Sequence, residues 1–356
     1  MVLNSWQKLD RVLQGRPFGD GANGSATISA DPNIRATALG TIATTALTAG
    51  STAFANGDIV LIIQYQFAGR GQFEINKVAS GGGTVNLVMS QNLQYNYVAG
   101  AQIVRIPRYT TLTINAYTPP IWNGSINGIT IVAAKTSILT GGTFSGTGRG
   151  FRGGAPVDGT TLGGEGGNGN GDRTYGAAAG ISSEGGSGGG YGTNGQQAGT
   201  GANAFGLAYG NADLTIITAG GSGGGSSGSP VGSQGAGGGS GHLLILIGKV
   251  ITISNPFLSR GGNGGNGADR AGGGGSGGGV LLVCGSAAVG SNNITATGGA
   301  KGIGIDANAN GGDGGVGRIA IHHSGVVTGT TNPSFFDQSD PGLKESVGGG
   351  FLKALL

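Results

Sequence analysis

The stretch SRGGNGGNGADRAGGGGSGGGVLLVCGSAA, residues 259–288, joins two kinds of sequence that rarely adjoin. Its first part has the glycine-rich composition of a flexible linker, whereas residues 280–284 have the apolar character of a buried strand. Either the glycine residues separate folded parts of the chain, or they form part of the fold themselves. The distribution of glycine along the chain decides between the two.

Glycine is concentrated in the rear part of the chain, since residues 141–320 hold 63 of the 84 glycines among 356 residues. Within this part, Gly241, Gly279 and Gly317 each open an apolar run, and both intervals are 38 residues long. A repeated unit that cannot bury its own apolar face stacks on its neighbours. The repeat therefore predicts a β-solenoid, in which each unit runs as strand, turn, second short strand and glycine excursion.

The glycine excursions have a finer period of three, as in GGNGGN at 261–266 and GGEGGN at 163–168. An extended chain with roughly three residues per turn then carries its side chains on one edge, so that bare backbones can approach and exchange hydrogen bonds. Ordering a residue costs about 1–2 kcal/mol, whereas a hydrogen bond returns about 0.5–1.5 kcal/mol. The tracts thus need apolar strands at their ends, and we expect an array of polyglycine-II helices held between such strands.

The front part of the chain has the two-residue period of strands, for example GDIVLIIQYQ at 57–66. Short strands separated by turn clusters predict a small antiparallel barrel or sandwich. The predicted fold class is therefore all-β: a small N-terminal β barrel or sandwich followed by a β-solenoid with a glycine-rich polyglycine-II helix array. The expected divisions are an attachment segment at 1–21, the β domain at 22–118, the glycine-rich domain at 119–330 and a tail at 331–356.

The two ends of the chain carry apolar residues that suit contacts with other proteins. The N-terminal residues are spaced as on one face of a short helix, and the C-terminal ones follow three glycines. Packing within the chain's own fold is the alternative for both ends. The candidate assembly contacts are Trp6, Leu9, Leu13, Phe351, Leu352, Leu355 and Leu356.

Charge, cysteine content and hydropathy exclude several classes of function. The net charge of +3 includes no clustered basic stripe, which argues against nucleic-acid binding. Cys284 is the sole cysteine, so neither an internal disulfide nor a cysteine-based metal site can form. No apolar run approaches the about 18 residues of a membrane span, and the N-terminus lacks a signal-peptide pattern. We expect no membrane insertion.

The glycine tracts at about 141–154, 163–171, 184–201, 218–241, 259–279 and 298–317 resemble the adhesins at the long-tail-fibre tips of T-even-type bacteriophages. In that family a distal domain packs polyglycine-II helices, and the loops between them hold aromatic and polar residues that touch the bacterial receptor. This chain departs from the family in its long apolar strands and its separate front domain.

The resemblance implies that the loops at 171–184 and 191–213 bind the receptor, since aromatic faces and amides suit sugars and flat surfaces. The alternative is that the aromatic residues cover the ends of the glycine layer. The candidate receptor-binding residues are Tyr175, Tyr191, Asn194, Gln196, Gln197, Phe205 and Tyr209.

No motif for catalysis or a cofactor stands out. In the stretch 261–269, Asn266 stands where the calcium-binding repeat of β-rolls has aspartate, and the motif is not repeated in tandem. Asn263 and Asn266 are therefore interpreted as edge side chains. His322 and His323 adjoin on a strand and point to opposite faces. We expect no enzyme activity, no cofactor and no metal site.

The sequence thus predicts a non-enzymatic structural or receptor-binding protein of a phage virion. Its expected partners are virion or fibre proteins, copies of itself and a bacterial surface receptor. One alternative is a self-assembling filament subunit on or outside a prokaryotic cell. Another is a polysaccharide depolymerase built on a β-helix, for which Asp337 and Asp340 are the candidate carboxylates.

Overall fold

The computed structural model of the chain describes residues 18–155, 163–166, 169–170, 185–199, 205–226 and 233–343. The described residues form eighteen strands and one short 3-10 turn at Pro341–Leu343, and none of their helices could span a membrane. The seven predicted assembly contacts, from Trp6 to Leu13 and from Phe351 to Leu356, and the loop residue Tyr175 lie outside these ranges.

Six antiparallel strands of the front part close into a barrel, so the class and the small barrel agree with the sequence prediction. All six residues of one strand, IVLIIQ, are buried because the barrel packs on the rest of the protein. The side chains of Val60 and Ile62 point into the barrel, whereas those of Leu61 and Ile63 point to its outer face. In spatial order the barrel strands are β2 (Arg35–Gly40), β3 (Ala46–Ala49), β6 (Asn86–Met89), β5 (Phe73–Ser80), β4 (Ile59–Gln64) and β7 (Ala101–Arg105).

The remaining large element is a ten-stranded sheet in which every pair of neighbours is parallel. Its central strands are the apolar runs that follow glycine: Leu243 lies beside Ile129, and Leu244 lies beside Val280. The strands of the sheet are β1 (Ala26–Ile28), β8 (Arg108–Ile114), β9 (Ile129–Thr140), β10 (Phe144–Ser145), β13 (Leu243–Thr252), β14 (Phe257–Leu258), β15 (Gly279–Thr295), β16 (Arg318–His323), β17 (Val327–Asn332) and β18 (Phe336–Ser339). A separate two-stranded sheet pairs β11 (Glu165–Gly166) with β12 (Gly169–Asn170).

The predicted β-solenoid is wrong, because the apolar runs lie side by side in one curled parallel sheet. In the units that begin at Gly241 and Gly279, the apolar run and the expected second strand form one continuous strand. β15 continues for 17 residues, and β13 continues through a register shift between Gly248 and Val250. Such irregularities bend a strand without taking it out of its sheet. Leu246 and Ile251, which lie on either side of the bend, therefore share one apolar cluster inside a single curled parallel sheet.

The two faces of the curled sheet bury two different cores. On its concave side, Leu246 and Ile251 pack with Phe144 and Phe257, whose rings stack 4.8 Å apart. On its other side, Ile245 and its neighbours pack against the outer face of β4 and β5. Near-continuous burial on both faces is typical of parallel strands. The barrel and the sheet thus share the second of these cores.

Glycine segments lead into β13, β15 and β16, and these segments bond to one another. In segment 272–278, successive N–H groups donate in turn to three segments, 259–265, 221–224 and 312–315, and the order repeats every third residue. These bonds, at 2.7–3.0 Å, run from Gly272 to Gly265, Gly273 to Gly224, Gly274 to Gly312, Gly275 to Gly262, Ser276 to Gly221, Gly277 to Gly315 and Gly278 to Ser259.

The carbonyl groups of the same segment accept bonds from further segments. Gly299 and Gly302 donate to one side of it, Gly238 and Gly241 donate to another, and Gly189 donates to a third, at 2.8–3.0 Å. A chain with roughly three residues per turn directs every third peptide group to the same side, which accounts for this distribution. Segment 272–278 is therefore surrounded by hydrogen-bonded neighbours, and the glycine is part of the fold.

Glycine is required in this array because the backbones lie closer than a side chain permits. A Cβ atom on Gly275 would overlap the carbonyl oxygen of Gly239, and one on Gly273 would overlap that of Ser187. At Gly262, by contrast, the nearest atom to an added Cβ would be 3.2 Å away. The requirement is therefore specific to position.

We predict that Gly275→Ala lowers the free energy of unfolding by about 1–3 kcal/mol or more, since overpacking forces the adjacent segments apart. The matched variant Gly262→Ala in the neighbouring segment should change it by less than about 1 kcal/mol. Denaturant unfolding followed by circular dichroism measures both. Equal stability of the two variants would contradict the close approach of segments 272–278 and 235–241.

Candidate functional site

The described candidate residues differ in their exposure. Tyr191 is fully buried, and Tyr209 and Phe205 are half-buried. The exposed residues are Asn194, Gln196 and Gln197.

Tyr191 and Tyr209 pack against each other and against the end of the array. Their ring centroids lie 5.3 Å apart, and the Tyr191 hydroxyl donates to the Thr218 carbonyl at 2.8 Å. The Tyr209 hydroxyl donates to the carbonyl of Ala219. Tyr191 is thus not accessible to a receptor in this structure, which corrects the prediction for that residue. Its placement matches the alternative, in which aromatic side chains cover the glycine layer.

The exposed amides lie on a segment, residues 193–197, that the array fixes on both sides. The Gln196 N–H donates to the Asp313 carbonyl at 2.7 Å, and the Gln196 carbonyl accepts from the Gly188 N–H at 2.8 Å. The Asn194 Oδ1 atom accepts from the Ala208 N–H at 2.7 Å. A surface segment with its backbone held in this way presents its side chains with little loss of conformational entropy on binding. We call residues 193–197 the amide edge.

A cavity of about 300 Å³ adjoins the amide edge. It lies between Gly192 of the glycine layer and residues at the end of the parallel sheet. The amide edge is attached to its lining, because the Val316 N–H donates to the Thr193 hydroxyl at 3.0 Å. The side chains that line it include Val316, Arg318, Pro333, Ser334, Phe335 and Phe336.

Among the described residues that line the cavity, only Arg318 carries a charged side chain, and its position is fixed. Its Nε and Nη2 atoms both donate to the Tyr209 carbonyl, at 3.1 and 2.7 Å. Its guanidinium carbon lies 5.4 Å from the centroid of the Tyr191 ring, a distance that allows a cation–π interaction. Among the described residues, no hydrogen-bond acceptor meets the two N–H groups of Nη1.

Sequence reasoning missed Arg318 and the aromatic pair Phe335 and Phe336. The run GRIAIHH was interpreted only as an apolar strand, and SFF was included in the tail. Strands β16 and β18 pair in parallel, with Ala320 beside Phe336, and this pairing brings the two stretches together. A charged residue at the start of a buried strand was the available signal.

The histidine and asparagine side chains named in the sequence analysis have hydrogen-bond partners within the protein. His322 and His323 have different partners: the Nε2 atom of His322 lies 2.6 Å from the Asp213 carbonyl, and that of His323 lies 2.7 Å from Asp337 Oδ1. Within the described ranges, no group of three His, Cys, Asp or Glu residues could hold a metal ion. The Oδ1 atoms of Asn263 and Asn266 accept N–H groups of the next glycine segment.

Comparison with known proteins adds no family to this description, since no protein-family model and no curated protein matches the sequence.

The buried phenols predict a loss of stability at alkaline pH. Burial raises the pKa of Tyr191 from 10.0 to about 12, although the Thr218 hydrogen bond and Arg318 lower it in part, and burial also raises the pKa of Tyr209. Between pH 10 and 12 the unfolded chain has released a proton that the folded protein still holds, so stability falls as pH rises. We expect Tyr191→Phe to lose less stability over this interval than the unsubstituted protein, by up to about 2 kcal/mol.

At neutral pH the same variant should be less stable by about 1–3 kcal/mol, because the buried Thr218 carbonyl loses its donor. Unfolding in denaturant at pH 7, 10 and 12 separates the two effects. If the variant and the unsubstituted protein lose the same stability between pH 10 and 12, Tyr191 is not the buried phenol that the structure describes.

Proposed function

We propose that this chain is a non-enzymatic structural protein of a bacteriophage particle, of the tail-fibre or tail-tip adhesin type, and that it recognises a receptor on the bacterial surface. The observation that carries the proposal is the amide edge beside the Arg318 cavity, both fixed by backbone hydrogen bonds of the glycine array. The resemblance of the glycine tracts to phage adhesins supports the same function.

The physical argument is one of preorganisation. Exposed amide groups on a fixed backbone bind a polar surface without first having to be ordered, and the adjacent cavity supplies aromatic and cationic contacts. The recognition residues in this proposal are Asn194, Gln196 and Gln197, whereas Tyr191 and Tyr209 hold them in place. In this proposal the barrel and the two ends of the chain attach the protein to other virion proteins.

The test is binding of the fluorescently labelled protein to a panel of intact bacterial strains. We expect Gln196→Ala/Gln197→Ala to reduce binding to a recognised strain at least tenfold while leaving stability unchanged, because a handful of residues carries most of an interface's affinity. The matched control is Asn86→Ala/Gln91→Ala, which removes two exposed side-chain amides from the barrel.

Equal binding by the two double variants would contradict recognition by the amide edge. Purified protein that forms micrometre filaments in electron micrographs and binds no strain would instead favour the filament subunit. Release of reducing sugar from bacterial capsule would favour the depolymerase.

A further inference from the structure

We propose that the Arg318 cavity binds a saccharide unit that bears a carboxylate, such as a uronic acid of a bacterial surface glycan. This inference rests on the proposed function, for which it names the chemical class of the receptor. Three features of the cavity carry it: a fixed cation with unused donors, apolar walls suited to a sugar ring, and a volume that suits one such ring.

The cation is positioned before any ligand arrives. The Tyr209 carbonyl occupies the Nε–Nη2 edge of the Arg318 guanidinium, which leaves the N–H groups of Nη1 without an acceptor among the described residues. No carboxylate in the described ranges forms an ion pair with Arg318. A half-buried guanidinium with unused donors favours an anionic oxygen, and charge-assisted hydrogen bonds are the stronger kind.

The walls favour a ring over a simple anion. Pro333, Phe335 and Phe336 supply apolar faces, and the ring of Phe336 is 39% exposed although it belongs to a strand. The C–H face of a pyranose packs on such surfaces, while the Ser334 side chain offers a hydroxyl partner. Together with Arg318, the walls match a ligand that is apolar on one face and carries a negative charge at its rim.

The size and position of the cavity suit one sugar unit of a longer chain. Its volume of about 300 Å³ is at the lower end of the range for small-ligand sites. Gly192, which lines the cavity, adjoins the amide edge at residues 193–197 in the chain. Further units of a glycan can therefore extend across Gln196 and Gln197, as the proposed function requires.

The experiment compares two sugars that differ at a single carbon. Galacturonate and galactose are titrated separately into the full chain by isothermal calorimetry at low ionic strength, with acetate as the carboxylate that lacks a ring. We expect galacturonate to bind at least tenfold more tightly than galactose, since only it places a carboxylate near Arg318. Added salt should reduce the difference, and acetate should bind more weakly than galacturonate.

Two variants separate the charge from the walls. Arg318→Gln should abolish the preference for galacturonate, and Phe336→Ala should weaken binding of both sugars about equally while the preference remains. Val326→Ala is the control for Phe336→Ala, since Val326 is also exposed and does not line the cavity. Because Arg318 also bonds to Tyr209, thermal unfolding verifies that its variant folds, and Phe336→Ala tests the site if it does not.

Equal affinity for the two sugars, or no binding of galacturonate, would overturn the inference. The proposed function fails separately. If the protein binds cells through Gln196 and Gln197 but does not bind galacturonate, the inference of an acidic sugar is wrong and the proposed function stands. If it binds galacturonate but no bacterial cell, the acidic-sugar site stands and receptor recognition by a virion protein is contradicted.

Discussion

The close approach of glycine backbones is the constraint on which the rest of the structure depends. In segment 272–278 the peptide groups bond to neighbours on several sides, and a Cβ atom at Gly273 or Gly275 would overlap a carbonyl oxygen. Such bonds return about 0.5–1.5 kcal/mol each and barely offset the cost of ordering glycine. The array therefore depends on the strands at its ends, whose fully buried side chains each contribute about 1.5–3 kcal/mol. On these magnitudes the glycine array is not stable alone.

The same dependence explains how the site is built. Parallel strands require long returns, which are helices in most proteins. Here glycine segments lead into β13, β15 and β16. The chain before β13 includes Tyr191 and Tyr209, which pack on the array and hold Arg318 through the Tyr209 carbonyl. The amide edge and the cavity are thus fixed by the element that closes the glycine layer, although their own residues lie at the surface.

Much of the fold could be predicted from the sequence, and the errors have physical causes. The alternating run at 57–66 indicated an antiparallel domain, and the runs after Gly241 and Gly279 do lie side by side. The solenoid prediction failed because the dipeptides at 248–249 and 285–286, Gly-Lys and Gly-Ser, resemble turns. A register shift after Gly248 lets strand β13 continue. At the site, the resemblance to phage adhesins pointed to the loop that holds Gln196 and Gln197 but not to Arg318 and Phe336, which the pairing of β16 with β18 brings together. Tyr191 was assigned to the surface because an aromatic residue in a glycine-rich loop gives no sign of its burial.

Amide hydrogen exchange of segment 272–278 tests the central claim most directly, because no side chain there contributes to the result except that of Ser276. If the peptide groups are bonded to fixed neighbours, they should exchange at least about a thousandfold more slowly than in an unstructured peptide, like those of residues 280–284 in the adjoining strand. If the amides of 272–278 exchange as fast as those of an unstructured peptide while those of 280–284 stay protected, the account is contradicted. The glycine segments would then be flexible linkers between the strands.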